Sequence, residues 1–352
     1  MPSQRSSKLF DPIQVGAFNL QHRVVLAPLT RGRADDASVP APYATDCYAQ
    51  RATRIYSKEQ IEAWKNVTTA VHAKGGLIVV QLWALGRIAE PDLVSAVYSP
   101  GTKPYLDNDD TSQKTPDKAS VIEKFTTMTE ADIDRFVEHY RQAALKAMEA
   151  GFHGVELHGA NGYLQSRSND RQDQYGGSVE NRMRFPLRVV NAISEAIGAE
   201  RVGVRMSPFT RFQGMREADP LSLFVPWAQA IVDSQPSIAY LHAIEPRADG
   251  AVDTPDHLQK GVESLDPIRE VATRAGVNFI AAGGFTPESA LEHASENDDL
   301  VAFGRHFIPN PDLPARIRNG WALTKYDRST FYKTNEVGYS DYTAYTVDKV
   351  AA

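Results

Sequence analysis

The chain has 352 residues, of which 42% are hydrophobic and 23% charged, and it carries a formal net charge of -6. These proportions are typical of a soluble globular protein with enough apolar material for a sizeable core, and they argue against a largely disordered chain. The negative charge argues against a nucleic-acid-binding protein, which needs a basic surface to displace counterions from phosphates.

The cysteine content and the apolar segments indicate where the protein works. Cys47 is the only cysteine, so no intrachain disulfide can form and a reducing compartment is expected. The first residues lack the apolar stretch of a signal peptide, and the longest apolar run, around residues 77–85, is far shorter than a bilayer span. We therefore expect a cytoplasmic protein that does not contact a membrane.

Short apolar runs rich in β-branched residues recur along the chain. Their first residues are Arg23, Leu77, Gly154, Val202, Ile238, Asn278 and Leu300. Continuous apolar runs suit strands that are buried on both faces, as in parallel sheets, and helical patterns lie between them. This alternation predicts an α/β fold, a (β/α)8 TIM barrel in which residues 1–352 form a single domain.

Two of the intervening helices are marked clearly. Residues 58–74 have helical spacing of apolar positions. After the string MTEAD, Thr129 is a good N-cap and Asp132 completes a capping box, which predicts a helix that continues to Gly151. Residues 101–118 are rich in Asp, Thr, Pro and Lys without periodicity, and they are expected to form an exposed loop rather than a domain linker.

The number of strands is one short of a closed barrel, which needs eight. The gap falls between Pro28 and Leu77, where only the ATRIY stretch, from Ala52 to Tyr56, could serve as a vestigial strand. We therefore expect a barrel that is incomplete or distorted at its second strand.

Catalytic and binding residues of a parallel β/α barrel lie at the C-terminal ends of its strands. Here these ends carry a hydroxyl, amides, an imidazole, a phenol, guanidinium groups and glycine turns, which are typical of a site rather than of a core. The residues are Pro28, Leu29 and Thr30; Gln81 and Trp83; His158, Asn161 and Tyr163; Arg205; Gly283 and Gly284; and Gly304 and Arg305.

The cluster of His158, Asn161 and Tyr163 directly follows a predicted strand. Such polar groups need partners if buried, so the alternative to a functional site is a hydrogen-bonded loop anchor. An imidazole beside an amide can bind one carbonyl oxygen, and a nearby phenol can donate a proton. The cluster lacks a third imidazole or carboxylate at ligand spacing, and no HExxH or CxxC pattern occurs, which argues against a metal site.

Gly283-Gly284 and Gly304-Arg305 follow consecutive strands near the end of the chain, where barrels often bind a phosphate. Glycine pairs also occur in tight turns for conformational reasons alone, so the arginine strengthens the prediction. Arg205 stands inside a buried run and needs an anionic partner. That partner is either a ligand or a strand carboxylate such as Glu156.

Several long strings together carry a resemblance to a known family. They are RVVLAPLTRGRA, QLWALGR, GVELHGANGYL, YGGSVENRMRF, VGVRMSPFTRFQGM, YLHAIEPR, FIAAGGFTPE, FGRHFIPNPDLPARI and KYDRSTFY. In these strings, from Leu9 to Tyr342 with gaps, the sequence resembles the old yellow enzymes, most closely their fungal and plant-like branch. The resemblance implies an FMN-dependent ene-reductase that uses NADPH or NADH to reduce enones or enals, with a role in fungal secondary metabolism as one expectation.

The resemblance also implies roles for the strand-end residues. FMN would contact Pro28, Leu29, Thr30, Gln81 and Arg205 along its ring and Gly283, Gly284, Gly304 and Arg305 at its phosphate. His158 and Asn161 would hold the substrate carbonyl, Tyr163 would donate a proton, and Trp83 and Tyr332 would line the substrate pocket.

The sequence departs from the family pattern in two places. After YAQRAT the second barrel strand and its loop are missing, and the stretch LQSRSND after Tyr163 is shortened. A degenerate barrel that binds a ligand or partner without turnover is therefore the first alternative function. A phosphate-binding lyase or aldolase is the second, although no Schiff-base lysine stands at a strand end.

Overall fold

The computed structural model of the protein describes residues 7–34, 39–41, 44, 57–104, 118–159, 162–211, 214–249, 252–253 and 263–346. Its strands are β1 (Ile13–Val15), β2 (Phe18–Leu20), β3 (Val24–Leu26), β4 (Val79–Leu82), β5 (Val97–Ser99), β6 (Phe125–Thr127), β7 (Gly154–His158), β8 (Val202–Met206), β9 (Tyr240–Ile244), β10 (Ala248–Asp249), β11 (Val252–Asp253), β12 (Asn278–Ala282) and β13 (Leu300–Phe303).

The helices in the same ranges are α1 (Lys58–Ala73), α2 (Lys118–Lys124), α3 (Glu130–Glu149), α4 (Val179–Ile197), α5 (Leu221–Ser234), α6 (Asp266–Arg274), α7 (Pro287–Glu296) and α8 (Leu313–Asn319). Both marked helices are confirmed as α1 and α3. Each begins with a reciprocal capping box, formed by Ser57 with Gln60 in α1 and by Thr129 with Asp132 in α3. These boxes satisfy backbone N–H groups that have no partner inside a helix.

Seven strands form one parallel sheet in the order β3-β13-β12-β9-β8-β7-β4. Each corresponds to one of the apolar runs, so the α/β barrel prediction and its strands are confirmed. Residues alternate between the two faces of each strand: Val155 and Leu157 of β7 belong to the main hydrophobic core, which the sheet shares with the helices. Glu156, between them, lines a cavity on the other face.

Among the residues that the structure describes, the sheet is interrupted at the predicted place. Within the described ranges, β3 and β4 stand at the two ends of the strand order, paired with β13 and β7 respectively. The ATRIY stretch lies outside the described residues. A cavity of about 390 Å³ lies against both strands. Its lining includes Pro28 after β3, Leu77 before β4, and Glu156 and His242 on the neighbouring strands.

A short hairpin, β1–β2, was not predicted. Val15 and Phe18 of the hairpin belong to a second apolar cluster with Ala239, Ile280 and Leu300. Ala239 directly precedes β9, Ile280 lies within β12, and Leu300 begins β13. Their burial closes the N-terminal end of the barrel, opposite the strand ends that are expected to form the site.

The C-terminal segment is fastened to the loop after β3. The guanidinium of Arg31 donates hydrogen bonds to the carbonyl oxygens of Phe331 and Gly338, at 3.1 and 2.7 Å. The neighbouring Arg33 donates to the carbonyl oxygens of Thr330, Phe331 and other residues of this segment, and both arginines are buried. These bonds hold the segment that carries Tyr332 at the mouth of the barrel.

A parallel strand pair, β5–β6, and helix α2 precede α3 and were also missed by the sequence prediction. Residues 101–104 of the predicted loop contain no regular element, and residues 105–117 lie outside the described ranges. Among the helices that the structure describes, none is both long and apolar enough to cross a bilayer.

Candidate active site

The C-terminal ends of β4, β7 and β8 bring four of the predicted residues together. In the register of these strands Gln81 lies opposite Glu156, and His158 lies opposite Arg205. The Trp83 indole stacks on the His158 imidazole, with ring centroids 5.1 Å apart and planes 14° apart. An amide, an imidazole and a guanidinium are therefore neighbours at one edge of the mouth.

The ends of β3, β12 and β13 bring the predicted phosphate residues to the opposite edge. Phe303 of β13 pairs with Leu26 of β3, so Gly304 follows beside the loop that carries Leu29. A Cβ on Gly304 would lie 3.2 Å from Leu29 Cδ2. Gly283 and Gly284 have φ angles of 106° and 65°, which side chains disfavour. Arg305 lies beside this edge, with its guanidinium 5.8 Å from the centroid of the Tyr326 ring.

Arg247 is a residue of this edge that the sequence analysis missed. Its Nε donates to the carbonyl oxygen of Gly283 at 2.7 Å, and its guanidinium lies 4.1 Å from the centroid of the Phe285 ring. A side chain at Gly284 would meet Arg247, since its Cβ would lie 3.3 Å from the Arg247 side chain. The signal was present in the string YLHAIEPR, since Arg247 follows the end of β9. The glycine turn therefore has a second cation beside it, which favours an anionic ligand.

A buried carboxylate below the mouth was expected only as a partner for Arg205. The direct partners of Glu156 are different: one oxygen accepts from Gln81 Nε2 at 2.6 Å, and the other bonds His242 Nδ1 at 2.8 Å. The Tyr240 hydroxyl also donates a hydrogen bond to this carboxylate. Arg205 acts on Glu156 as a neighbouring charge. Burial works to raise the pKa of Glu156, but His242, Arg205 and Gln81 outweigh it and hold this pKa below its ordinary value.

His158 and Tyr163 line a second, smaller cavity of about 90 Å³, whose other walls come mainly from α3, α4 and β5. The Tyr163 ring packs against Phe185, with centroids 4.5 Å apart, and its hydroxyl is buried without a hydrogen-bond partner among the described residues. Burial raises the pKa of the Tyr163 phenol well above its ordinary value. Asn161, predicted beside them, lies outside the described residues.

Two predicted residues lie in exposed positions. Thr30 is exposed between the partly buried Leu29 and the buried Arg31. Tyr332, with 61% of its surface exposed, stands on the C-terminal segment. Their contacts with a cofactor or substrate stay predictions.

The residues at the mouth fit a flavin nucleotide. Arg205 Nε and His242 Nε2 are buried, and neither has a hydrogen-bond partner within the described part of the chain. Such atoms are costly unless a ligand satisfies them. Pro28, Leu29 and Gln81 line the large cavity, which offers apolar walls and an amide to a planar ring. The glycine turn with its arginines offers N–H groups and positive charge to a phosphate.

A parallel β/α barrel with these strand ends defines a flavin-binding oxidoreductase of the barrel class. Comparison with protein families shows which family the chain belongs to: residues 8–54 and 49–324 match the NADH:flavin oxidoreductase / NADH oxidase family. The chain therefore belongs to this family. The two matched stretches meet at residues 49–54, where the sequence predicts that a strand is missing.

The chain is also similar over nearly its whole length to curated proteins. It is 42% identical to the flavin oxidoreductase hxnT of Emericella nidulans, covering 95% of this chain and 97% of that one. It is 40% identical to a chanoclavine-I aldehyde reductase of Penicillium roqueforti, covering 96% of each chain. It is 39% identical to the 12-oxophytodienoate reductase 1 of Oryza sativa, covering 95% of this chain and 92% of that one.

Solved structures agree with this assignment. The old yellow enzyme homologue from Zymomonas mobilis has a TM-score of 0.84 and 34% identity, covering 96% of this chain and 100% of that chain. A morphinone reductase in complex with tetrahydroNAD has a TM-score of 0.83 and 34% identity, covering 99% and 100%. The predicted class is thus confirmed: the protein is an NAD(P)H-dependent flavin oxidoreductase of the old yellow enzyme type, a TIM barrel with FMN as its cofactor.

Proposed function

We propose that the protein reduces the carbon–carbon double bond of enones or enals held against His158 at the mouth of the barrel. The observation that carries this proposal is the position of the His158 imidazole, stacked on Trp83 and opposite Arg205 in the strand register. An imidazole fixed in this way can bind a carbonyl oxygen and stabilise the negative charge that develops on it. We propose Asn161 as the second group on that oxygen, and Trp83 and Tyr332 as walls of the substrate pocket.

The proposed cofactor contacts follow the two edges of the mouth. Gln81 and Arg205 would hold the pyrimidine edge of the flavin, and Pro28, Leu29 and Thr30 the edge near its reactive nitrogen. Its phosphate would lie on Gly283, Gly284, Gly304 and Arg305, with Arg247 as a further cation. When bound, FMN supplies the transfer of a hydride from NAD(P)H to the β-carbon of the alkene.

Tyr163 is proposed to protonate the α-carbon. Its phenol shares a cavity with His158, and its hydroxyl proton is not committed to an acceptor among the described residues. The raised pKa keeps the phenol protonated at neutral pH, as a proton donor requires. We therefore expect turnover to show no loss from phenol ionisation up to about pH 10, the ordinary pKa of tyrosine.

The first test is the His158→Ala variant, assayed by NADPH oxidation with cyclohexenone. Removal of one donor to a developing oxyanion lowers turnover by about 10²–10³-fold. The flavin absorption spectrum of the variant should match the unsubstituted protein, because His158 is not assigned to the cofactor. His139→Ala, on the exposed face of α3, is the control and should keep full turnover. Equal turnover in the two variants would contradict the proposed role of His158.

A second test compares two tyrosines of the smaller cavity. The Tyr163→Phe variant should lose about 10²-fold in turnover, the low end of what a general acid contributes. It should keep its stability, because the hydroxyl that it removes has no partner among the described residues. Tyr140→Phe should do the reverse, since the Tyr140 hydroxyl accepts from the Ala84 N–H at 2.9 Å. We expect it to lose about 1 kcal/mol of unfolding free energy with little change in turnover.

A second candidate function is binding of FMN or another ligand without turnover. The observation that favours it is the interruption between β3 and β4 within the described ranges, because both strands carry proposed cofactor residues at or just after their ends. A protein that retains yellow flavin but does not oxidise NADPH with any enone would support this alternative. We further propose that residues 1–352 form one domain, that the protein works in the cytoplasm, and that its partners are small molecules rather than nucleic acids or membranes.

A further inference from the structure

A buried cluster around Glu156 lies directly below the proposed pyrimidine site. Its members come from three strands: Gln81 from β4, Glu156 from β7, and Tyr240 and His242 from β9, and all four line the large cavity. Glu156 is 5% exposed, its two oxygens bond Gln81 and His242, and the carboxylate also accepts from the Tyr240 hydroxyl. The carboxylate therefore joins a proposed cofactor residue to a residue with no assigned role.

Strand register explains how the cluster fits inside the barrel. Gln81, Glu156, Gly203 and Tyr240 lie in one row across four neighbouring strands. Gly203 has no side chain, and the Tyr240 ring occupies the space, since a Cβ there would lie 2.2 Å from this ring. Arg205 and His242 form the next inward-facing row and are opposite each other. The carboxylate of Glu156 thus reaches upward from its own row to His242.

The charge of Glu156 determines how its partners are oriented. Because its pKa is held below the ordinary value, the carboxylate is ionised at neutral pH and can only accept hydrogen bonds. Gln81 must therefore present its NH₂ group to Glu156, which leaves the Gln81 carbonyl oxygen as an acceptor for other groups. The same argument assigns the proton of His242 to Nδ1. Burial lowers the pKa of His242, and its contact with Glu156 opposes this shift.

The outcome is an acceptor and a donor side by side below the mouth. Gln81 offers a carbonyl oxygen, and His242 Nε2 is a buried polar atom without a hydrogen-bond partner among the described residues. Arg205 offers donors and a positive charge, which Glu156 partly neutralises because the two charges are neighbours. A ligand with an N–H group beside a carbonyl group would match this arrangement, because Gln81 supplies an acceptor and Arg205 a donor. The pyrimidine edge of a flavin has such a pair.

We propose that Glu156 is a positioning residue of the cofactor site: it orients the Gln81 amide toward the flavin, and it limits the positive charge that Arg205 presents to the reduced flavin. This inference rests on the proposed placement of FMN. Its two parts have separate consequences. Orientation of Gln81 controls how tightly oxidised FMN binds, whereas the charge controls how much reduced FMN is favoured over oxidised FMN.

The test uses Glu156→Gln in the holoenzyme, with the flavin midpoint potential and the FMN dissociation constant as measurements. Loss of the negative charge leaves Arg205 without compensation, so reduced FMN should gain about tenfold in affinity relative to oxidised FMN. This shifts the midpoint to more positive potential by about 30 mV for a two-electron couple. Oxidised FMN should bind about tenfold more weakly, because the neutral amide no longer fixes Gln81. A merely structural role would leave the potential unchanged.

Asp299→Asn is the matched control. Asp299 is also a buried carboxylate that bonds an arginine and a histidine, Arg269 and His293, at 2.8 Å each. It precedes β13, at the end of the strands remote from the mouth. Its substitution should lower stability without any shift of the flavin potential. An equal shift in the control and in Glu156→Gln would overturn the proposal.

Glu156→Asp separates the two parts and remains informative if Glu156→Gln does not fold. It keeps the charge but shortens the reach to Gln81, so FMN affinity should fall while the midpoint potential stays unchanged. Unchanged affinity in a folded Glu156→Asp variant would overturn the orientation part. If the unsubstituted protein binds no FMN, the proposed function fails instead, and the two failures are thereby distinguished.

Discussion

The two sides of the barrel differ in how completely the strands are paired. From β7 through β8, β9 and β12, each strand has parallel neighbours on both sides and five residues. On the other side, β3 and β4 have three and four residues, and the cavity of about 390 Å³ lies against both. Yet proposed cofactor residues follow or end strands on both sides, Arg205 on the first and Gln81 on the second. Placement of a site therefore depends on strand direction more than on complete pairing. We call the first the paired side and the second the open side.

The largest expected difference concerns leucines of the two sides. Leu241→Ala, in β9 on the paired side, removes a fully buried side chain and should lower the free energy of unfolding by about 3–5 kcal/mol. Leu26→Ala, in β3, truncates a partly buried side chain that already lines the cavity, so about 1–2 kcal/mol is expected. Urea titrations of both variants measure this. Equal losses would mean that the open side is packed as tightly as the paired side.

A smaller difference is expected from two glycines. An alanine at Gly203 would meet the Tyr240 ring at 2.2 Å in a closely packed interior, so we expect a loss of about 3 kcal/mol. An alanine at Gly76 would meet Val71 Cγ1 at 2.9 Å, and both residues line the cavity. The close contact is with a terminal methyl group of Val71, which borders the cavity, so we expect a smaller loss of about 1 kcal/mol. A larger loss at Gly76 than at Gly203 would contradict the assignment of free space to the open side.

The smallest effects concern helix caps. Thr129→Ala in α3 and Ser57→Ala in α1 remove equivalent capping boxes, each worth about 1 kcal/mol. Amide hydrogen exchange should distinguish the two variants. If the open side unfolds locally, Ser57→Ala accelerates exchange in α1 and β4 with little change in global stability, whereas Thr129→Ala lowers global stability. Identical exchange patterns would show that both helices unfold with the whole protein.

The positions of the strands along the chain can be predicted from the sequence better than the contacts inside the barrel. Continuous apolar runs identify all seven strands of the sheet because burial on both faces favours apolar residues at most positions. The three-residue strands of the β1–β2 hairpin are too short for such a signal. Glu156 was considered only as a partner for Arg205, and His242 was not singled out, although both are polar residues inside apolar runs. Their pairing depends on strand register, which one sequence does not reveal.

Site residues could be predicted where strand ends and family resemblance agree. The neighbourhood of Gln81, Trp83, His158 and Arg205 follows from parallel strands that end at one edge. Arg247 was not predicted because it lies three residues beyond the end of β9, outside the apolar run that marks this strand. The position of the Tyr163 phenol against Phe185 was not predicted, because it depends on the stretch after Tyr163. This stretch is shorter than in the family, so the resemblance does not predict its conformation.

The bonds from Arg31 and Arg33 to residues 330–338 have a consequence for biosynthesis. The loop after the first barrel strand is made about 300 residues before the carbonyl groups that hold it. Chains fold from the N-terminus during synthesis, so this loop cannot be fixed in place until residues 330–338 have been made. A nascent chain halted before residue 330 would therefore keep its early loop unanchored.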